Sequence, residues 1–248
     1  MLNAINLSYR RGLELIARLP VLIMLPVLAE SAQHVAEIDL GMYAGGMNPG
    51  GKAIRLAFGA IKILAIFVTL VVAWRWWRFD GKLARALRPT GMMFKGIGLF
   101  LLVQFGGEAA ALALGRGLAA LPSDASASVR FGLTLLPLLG WLFVSGALFP
   151  WYVALVTEDR SMRLRSSVQA SRGRLLYTWA LLLAGVMPLM CIHYALNYAA
   201  LLALAPAAIL MILDAAIVGA LVAMIAATYF TIYARASARL AVTSPGSN

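Results

Sequence analysis

Residues 53–88 read AIRLAFGAIKILAIFVTLVVAWRWWRFDGKLARALR, and this stretch decides the class of the protein. Its first part, 53–74, is uncharged apart from Arg55 and Lys62. A membrane-spanning helix needs about 20 mostly apolar residues, so the run is long enough to cross a bilayer. Trp74, Trp76 and Trp77 follow, where amphipathic rings mark a membrane–water boundary. Arg75, Arg78, Lys82, Arg85 and Arg88 come with them and after them. An apolar span, an aromatic belt and a basic loop, in that order, form the pattern of a polytopic membrane protein whose cytoplasmic loops collect Lys and Arg.

The pattern extends outward from this stretch. Four further apolar runs of spanning length lie at 96–115, 131–156, 175–202 and 207–234. Of the 21 Lys and Arg residues, most fall into four clusters between the runs: Arg10, Arg11, Arg18; Arg75 to Lys95; Arg160 to Arg174; and Arg235, Arg239. Hydrophobic residues make up 62% of the chain and charged ones 12%, too little polar surface for a water-soluble fold. The net charge of +11 sits in short blocks beside apolar runs, which points to anionic lipid headgroups and away from nucleic acid. The single cysteine, Cys191, lies inside an apolar run, so neither a disulfide framework nor a Cys-based metal site is expected.

The N-terminal run is the weakest. Residues 13–32 make a first span that includes Glu14, Arg18, Pro20 and Pro26. Leu2, Ile5, Tyr9, Leu13 and Ile16 recur at helical spacing, so 2–18 reads as an amphipathic lead-in. A secretory signal competes, with Ala29-Glu30-Ser31 as the small-x-small cleavage site. With the first helix retained, the fold is an all-α transmembrane bundle of six helices over 1–240, followed by a disordered tail at 241–248. Both termini and the loops 75–95 and 157–174 are expected on the cytoplasmic side. The segments 33–52 and 116–130 and the turn near Pro206 are expected outside. Pro137, Pro150 and Pro188 lie within runs, where neighbouring groups are expected to satisfy the freed carbonyls.

Lys62 is the most costly residue in these runs, because a Lys at a helix centre costs about 2.5–3.5 kcal/mol on insertion scales. It lies thirteen residues from Arg75, and Glu108 lies thirteen residues from Lys95. Both therefore sit about 20 Å from the basic belt, on successive antiparallel helices. The expectation is a Lys62–Glu108 ion pair inside the bundle, joined by Gln104 one turn from Glu108. Its two readings are a buried lock between helices and an ion, proton or substrate pathway. The same counting puts Asp214 about 31 Å from Arg235 and His193 about 28 Å from Arg174. With Asn197 they form an expected polar group near the outer interface.

Other constellations carry less. Gly46 to Ala53 nearly spells a phosphate-binding loop, but Ala53 lacks the hydroxyl that would hold Mg²⁺ and no strand precedes it. Ser145-Gly146 with His193 invites comparison with intramembrane serine proteases, yet Phe143 stands where those need Gly. No catalytic residue, metal-ligand set or cofactor is expected. Lys82, Arg85 and Arg88, and likewise Arg160, Arg163 and Arg174, stand beside apolar residues in short helical patterns suited to inner-leaflet lipid.

Phe149-Pro150-Trp151, Glu158-Asp159, Ser167, Ser171 and Arg172-Gly173-Arg174-Leu175, together with Trp76-Trp77-Arg78-Phe79 and Gly81, carry a resemblance. The stretch resembles the membrane domain that accompanies some bacterial glycerophosphodiester phosphodiesterases and its stand-alone six-helix relatives of unknown function. Nothing after residue 240 is long enough to hold a phosphodiesterase domain. The resemblance implies a bacterial inner-membrane protein without catalysis of its own. The function expected is therefore a non-enzymatic membrane or envelope role through anionic lipids, a protein partner or a homo-oligomer. The alternative is a small transporter or permease component with a polar pathway around Lys62 and Glu108.

Overall fold

The computed structural model describes residues 1–44, 49–120 and 126–243, and these are helical almost throughout, with no strand among them. Six segments are long and apolar enough to cross a membrane: Pro20–Asp39, Gly51–Arg78, Gly91–Ala120, Ala127–Thr157, Leu175–Leu201 and Ala207–Val242. Large apolar side chains such as Leu56, Leu102, Leu136 and Leu176 point outward, as a lipid-facing surface requires. The chain is an all-α, multi-pass membrane protein. The sequence reading treats 1–240 as one bundle; the contacts divide it into two compact units, Met1–Leu87 with Leu181–Thr231, and Arg88–Ala180 with Ile232–Asn248.

The first unit begins with α1 (Leu2–Arg18), which stops where Leu19 leaves helical geometry and Pro20 opens α2 (Pro20–Asp39). A residue before proline is pushed out of the α region, so the first span starts at Pro20 rather than residue 13. The buried side of α1 is Ala4, Ser8, Gly12 and Leu15, a small-residue stripe. Leu2 and Leu13, on the apolar face of the expected lead-in, are exposed. Residues 33–39 belong to α2 and are not an outer loop; a 3-10 turn follows at Met42–Ala44. Then come α3 (Pro49–Arg78) and α4 (Leu83–Leu87). The buried Arg75 guanidinium closes this end by donating to the Ala86 carbonyl at 2.8 Å.

Two long helices, α9 (Leu175–Leu201) from Leu181 onward and α10 (Ala207–Thr243) as far as Thr231, complete the unit, and α10 is the most buried of the spans. Gly219 lets α2 approach, since a Cβ there would stand 2.5 Å from Val27 Cγ2. Proline within a helix frees the carbonyl four residues back, and here neighbours take it up. Pro26 frees the Leu22 carbonyl, which lies 3.3 Å from Thr69 Oγ1 of α3, a hydroxyl it shares with the Ala65 carbonyl at 2.8 Å. Pro188 frees the Ala184 carbonyl, which accepts from the Tyr9 hydroxyl of α1 at 3.1 Å. The structure extends α10 to Thr243, so residues 241–243 are helical rather than tail; 244–248 lie outside the described residues.

The second unit pairs α5 (Gly91–Ala120) with α6 (Ala127–Ser145), α7 (Phe149–Thr157) and α8 (Leu164–Ser171). A 3-10 turn at Gly146–Leu148 interrupts the fourth span before Pro150. There Ser167 Oγ of α8 bridges the break: it donates to the Ala147 carbonyl at 2.7 Å and accepts from the Trp151 amide at 3.2 Å. The two groups it joins would bond each other in an unbroken helix. Ser167 and Ser171 thus anchor α8, while Leu164 and Val168 face outward beside the exposed Arg163.

Candidate polar site in the first unit

Along α2, Glu30, Gln33, His34 and Glu37 recur at i, i+3, i+4 and i+7, which places four polar groups on one face of an otherwise apolar helix. That face is turned inward: Glu30 is 1% exposed, His34 3% and Glu37 2%. The helix is amphipathic in reverse, polar toward the protein and apolar toward lipid.

The antiparallel neighbour α3 supplies cations in register. Lys62 Nζ stands 2.8 Å from Glu30 Oε2, and Arg55 Nε donates to Glu37 Oε1 at 2.7 Å. Glu30 and Glu37 are seven residues apart, as are Arg55 and Lys62, so the two pairs lie two turns apart along both helices. Lys62 therefore pairs with Glu30, not with Glu108 as its counted depth suggests. Glu108 accepts from Gln104 on its own helix at 2.6 Å, within the second unit. Counting residues along a helix does not tell which neighbour Lys62 meets.

The third contribution comes from α9 and α10. His193 Nδ1 lies 2.7 Å from Asp214 Oδ1, and Asn197 Nδ2 donates to Asp214 Oδ2 at 3.0 Å. The three residues expected as an outer polar group are brought together, with Asp214 fully buried and His193 and Asn197 half-buried. His34 joins them to α2: its Nε2 is 2.9 Å from Asp214 Oδ2 and 3.2 Å from Glu30 Oε1, and its Nδ1 is 3.0 Å from Glu37 Oε2. One imidazole thus touches three carboxylates from two helices.

Gln33 and Tyr43 finish the shell around Glu37, Gln33 Nε2 donating at 2.8 Å and the Tyr43 hydroxyl at 3.3 Å. Burial, and then the Glu37 carboxylate, push the Tyr43 phenol above its usual range, so it stays a donor. On the α3 side a groove of about 500 Å³ reaches the cations, lined by Gln33, Lys52, Arg55, Gly59 and Lys62 among others.

Sequence reasoning missed Glu30, Gln33, His34, Glu37, Tyr43 and Arg55 as members of a site. The i, i+3, i+4, i+7 spacing on α2 is legible, but it straddles the expected end of the first span at residue 32, which parts Glu30 from Gln33, His34 and Glu37. It also found no metal-spaced set, whereas the fold brings Glu30, His34 and Asp214 to within 4.8 Å of one another through one ligand atom each. The remaining expected residues lie apart. Lys82, Arg85, Arg88, Arg160, Arg163 and Arg174 are all exposed. Arg85 stacks over Phe79 at 4.5 Å, and Arg160 reaches Met92 Sδ at 3.7 Å. Ser145 Oγ donates to its own helix at Leu142 O, and residues 46–48 of the phosphate-loop look-alike lie outside the described residues. The chain matches no protein-family model, no curated protein and no solved structure.

Proposed function

We propose that this membrane protein is of the transport class and that the polar site of its first unit holds a small cation on its way through the bilayer. The observation that carries this is the convergence of Glu30, Glu37 and Asp214 on His34, all buried in helices of spanning length. A charge at a helix centre costs about 2.5–3.5 kcal/mol, and one nearer a helix end costs less. Cohesion gains little from them, since polar contacts between spanning helices are worth only about 0.6–2 kcal/mol each. Ionisable groups kept at that cost mark pathways and binding sites. The groove beside Lys62 and Arg55 supplies an approach from one side.

By the positive-inside rule the termini and the two large basic clusters face the cytoplasm of a bacterial inner membrane, and the site occupies the outward half. No covalent chemistry is assigned to it. A second reading, a non-enzymatic scaffold on anionic lipids, is favoured by the exposed Leu164 and Val168 beside Arg163 on α8. It agrees with the resemblance to the phosphodiesterase-associated membrane domain.

Reconstitution into proteoliposomes separates the two. Transport predicts cation flux by the wild-type chain, lost in Asp214→Asn and Glu30→Gln variants whose melting temperatures stay close to wild type. No flux from the wild type, with the variants changing only melting temperature, would leave a structural lock and favour the scaffold.

A further inference from the structure

We propose that Glu30, His34 and Asp214 form a binding site for a divalent first-row transition ion, with Glu30 Oε1, His34 Nε2 and Asp214 Oδ2 as its ligand atoms. This names the cation of the transport reading and rests on that reading only for its role, not for binding itself.

The ligand spacing fits. Metal–ligand bonds of about 2.1 Å in a tetrahedral arrangement have edges of roughly 3.4 Å. The observed distances from His34 Nε2 are 2.9 Å to Asp214 and 3.2 Å to Glu30, so small outward shifts suffice. Orientation of the ligands fits as well. Metal-binding imidazoles are held by a carboxylate on the other ring nitrogen, and Glu37 Oε2 stands 3.0 Å from His34 Nδ1. The distal oxygen of Asp214 is held by His193, and that of Glu30 faces Lys62.

All three ligand residues are buried, which keeps competing water away from them. The donor set decides the class of ion. One imidazole and two carboxylates suit Zn²⁺, Mn²⁺, Fe²⁺ or Co²⁺, whereas Ca²⁺ and Mg²⁺ favour oxygen ligands alone and Cu⁺ favours sulfur. Three protein ligands leave a position for water or for an exchanging ligand.

The test uses the full chain in nanodiscs, stripped with a chelator and titrated with Zn²⁺ and Co²⁺. Expected are one ion per chain, a Co²⁺ d–d spectrum, and affinity reduced about 100-fold or more in His34→Gln and Asp214→Asn. Glu108→Gln, in the other unit, should bind as wild type does. X-ray absorption on the loaded wild type should show one imidazole among oxygen ligands, a readout that needs no variant to fold. Lack of stoichiometric binding, equal binding by His34→Gln, or a metal shell without imidazole would overturn the site. Flux that depends on Asp214 without metal binding would overturn the metal site and leave the transport reading standing. Tight binding without flux would do the reverse.

Discussion

Single hydroxyl groups decide whether the prolines of this chain are tolerable. Within a bilayer a carbonyl freed by proline has no water to turn to, and leaving it unpaired costs several kcal/mol. The Tyr9 hydroxyl on the Ala184 carbonyl does that work for Pro188, as Thr69 does in part for Pro26. Tyr9→Phe should therefore destabilise the protein by about 1–3 kcal/mol, measured by unfolding in mixed micelles. In a Pro188→Ala background the restored amide bonds the same carbonyl, and the effect of Tyr9→Phe should shrink toward zero. Equal losses in both backgrounds would show that Tyr9 acts through packing alone. That neighbours would rescue these carbonyls follows from the sequence and general chemistry; which residue does so does not. Lys62 teaches the same lesson. Its cost was legible, but its partner is set by which helix lies beside α3, and Glu30 lies on the helix whose end was read as loop.

At the level of the element, length and apolarity made the spans legible, because five runs are uniformly apolar over more than the bilayer thickness. α2 was harder. Glu30, His34 and Glu37 lower its apolarity, and only their common face shows that they belong inside a helix. Asp214, His193 and Asn197 could be grouped by depth, whereas their junction with α2 depends on tertiary packing. Packing between helices turns on small residues, and α5 offers a paired test. A Cβ at Gly115 would meet the Thr134 carbonyl of α6 at 2.1 Å, while one at Gly98 meets nothing within 4 Å. Gly115→Ala should cost about 1–3 kcal/mol through forced separation of the pair. Gly98→Ala should instead gain about 0.5–1 kcal/mol from lost backbone freedom in the unfolded chain. Similar effects at both positions, measured by denaturant titration in detergent, would mean that α5 and α6 do not approach so closely.

For the whole molecule the open quantity is direction across the membrane. Six crossings would return the chain to the side on which it began and would put the termini, Lys82 and Arg163 on one side and Lys52 on the other. Lys and Arg near span ends resist translocation, and the clusters at Arg75 to Lys95 and Arg160 to Arg174 outweigh the scattered Lys52, Arg55, Arg116 and Arg130. The polar site is tied to that choice. Asp214 is about 10 Å from the start of α10 and about 31 Å from Arg235 along the helix, so the site lies toward the Ala207 end of α10. In a Cys191→Ser background, a membrane-impermeant maleimide should label Lys52→Cys on intact cells, and Lys82→Cys and Arg163→Cys only after the membrane is opened. Labelling of Lys82→Cys on intact cells, with Lys52→Cys protected, would reverse the orientation and turn the site toward the cytoplasm. Labelling of Lys52→Cys and Lys82→Cys from one side would instead remove a crossing between them. Because α3 carries both Lys62 and Arg55, that outcome would also take away the apolar surroundings that make the polar site costly.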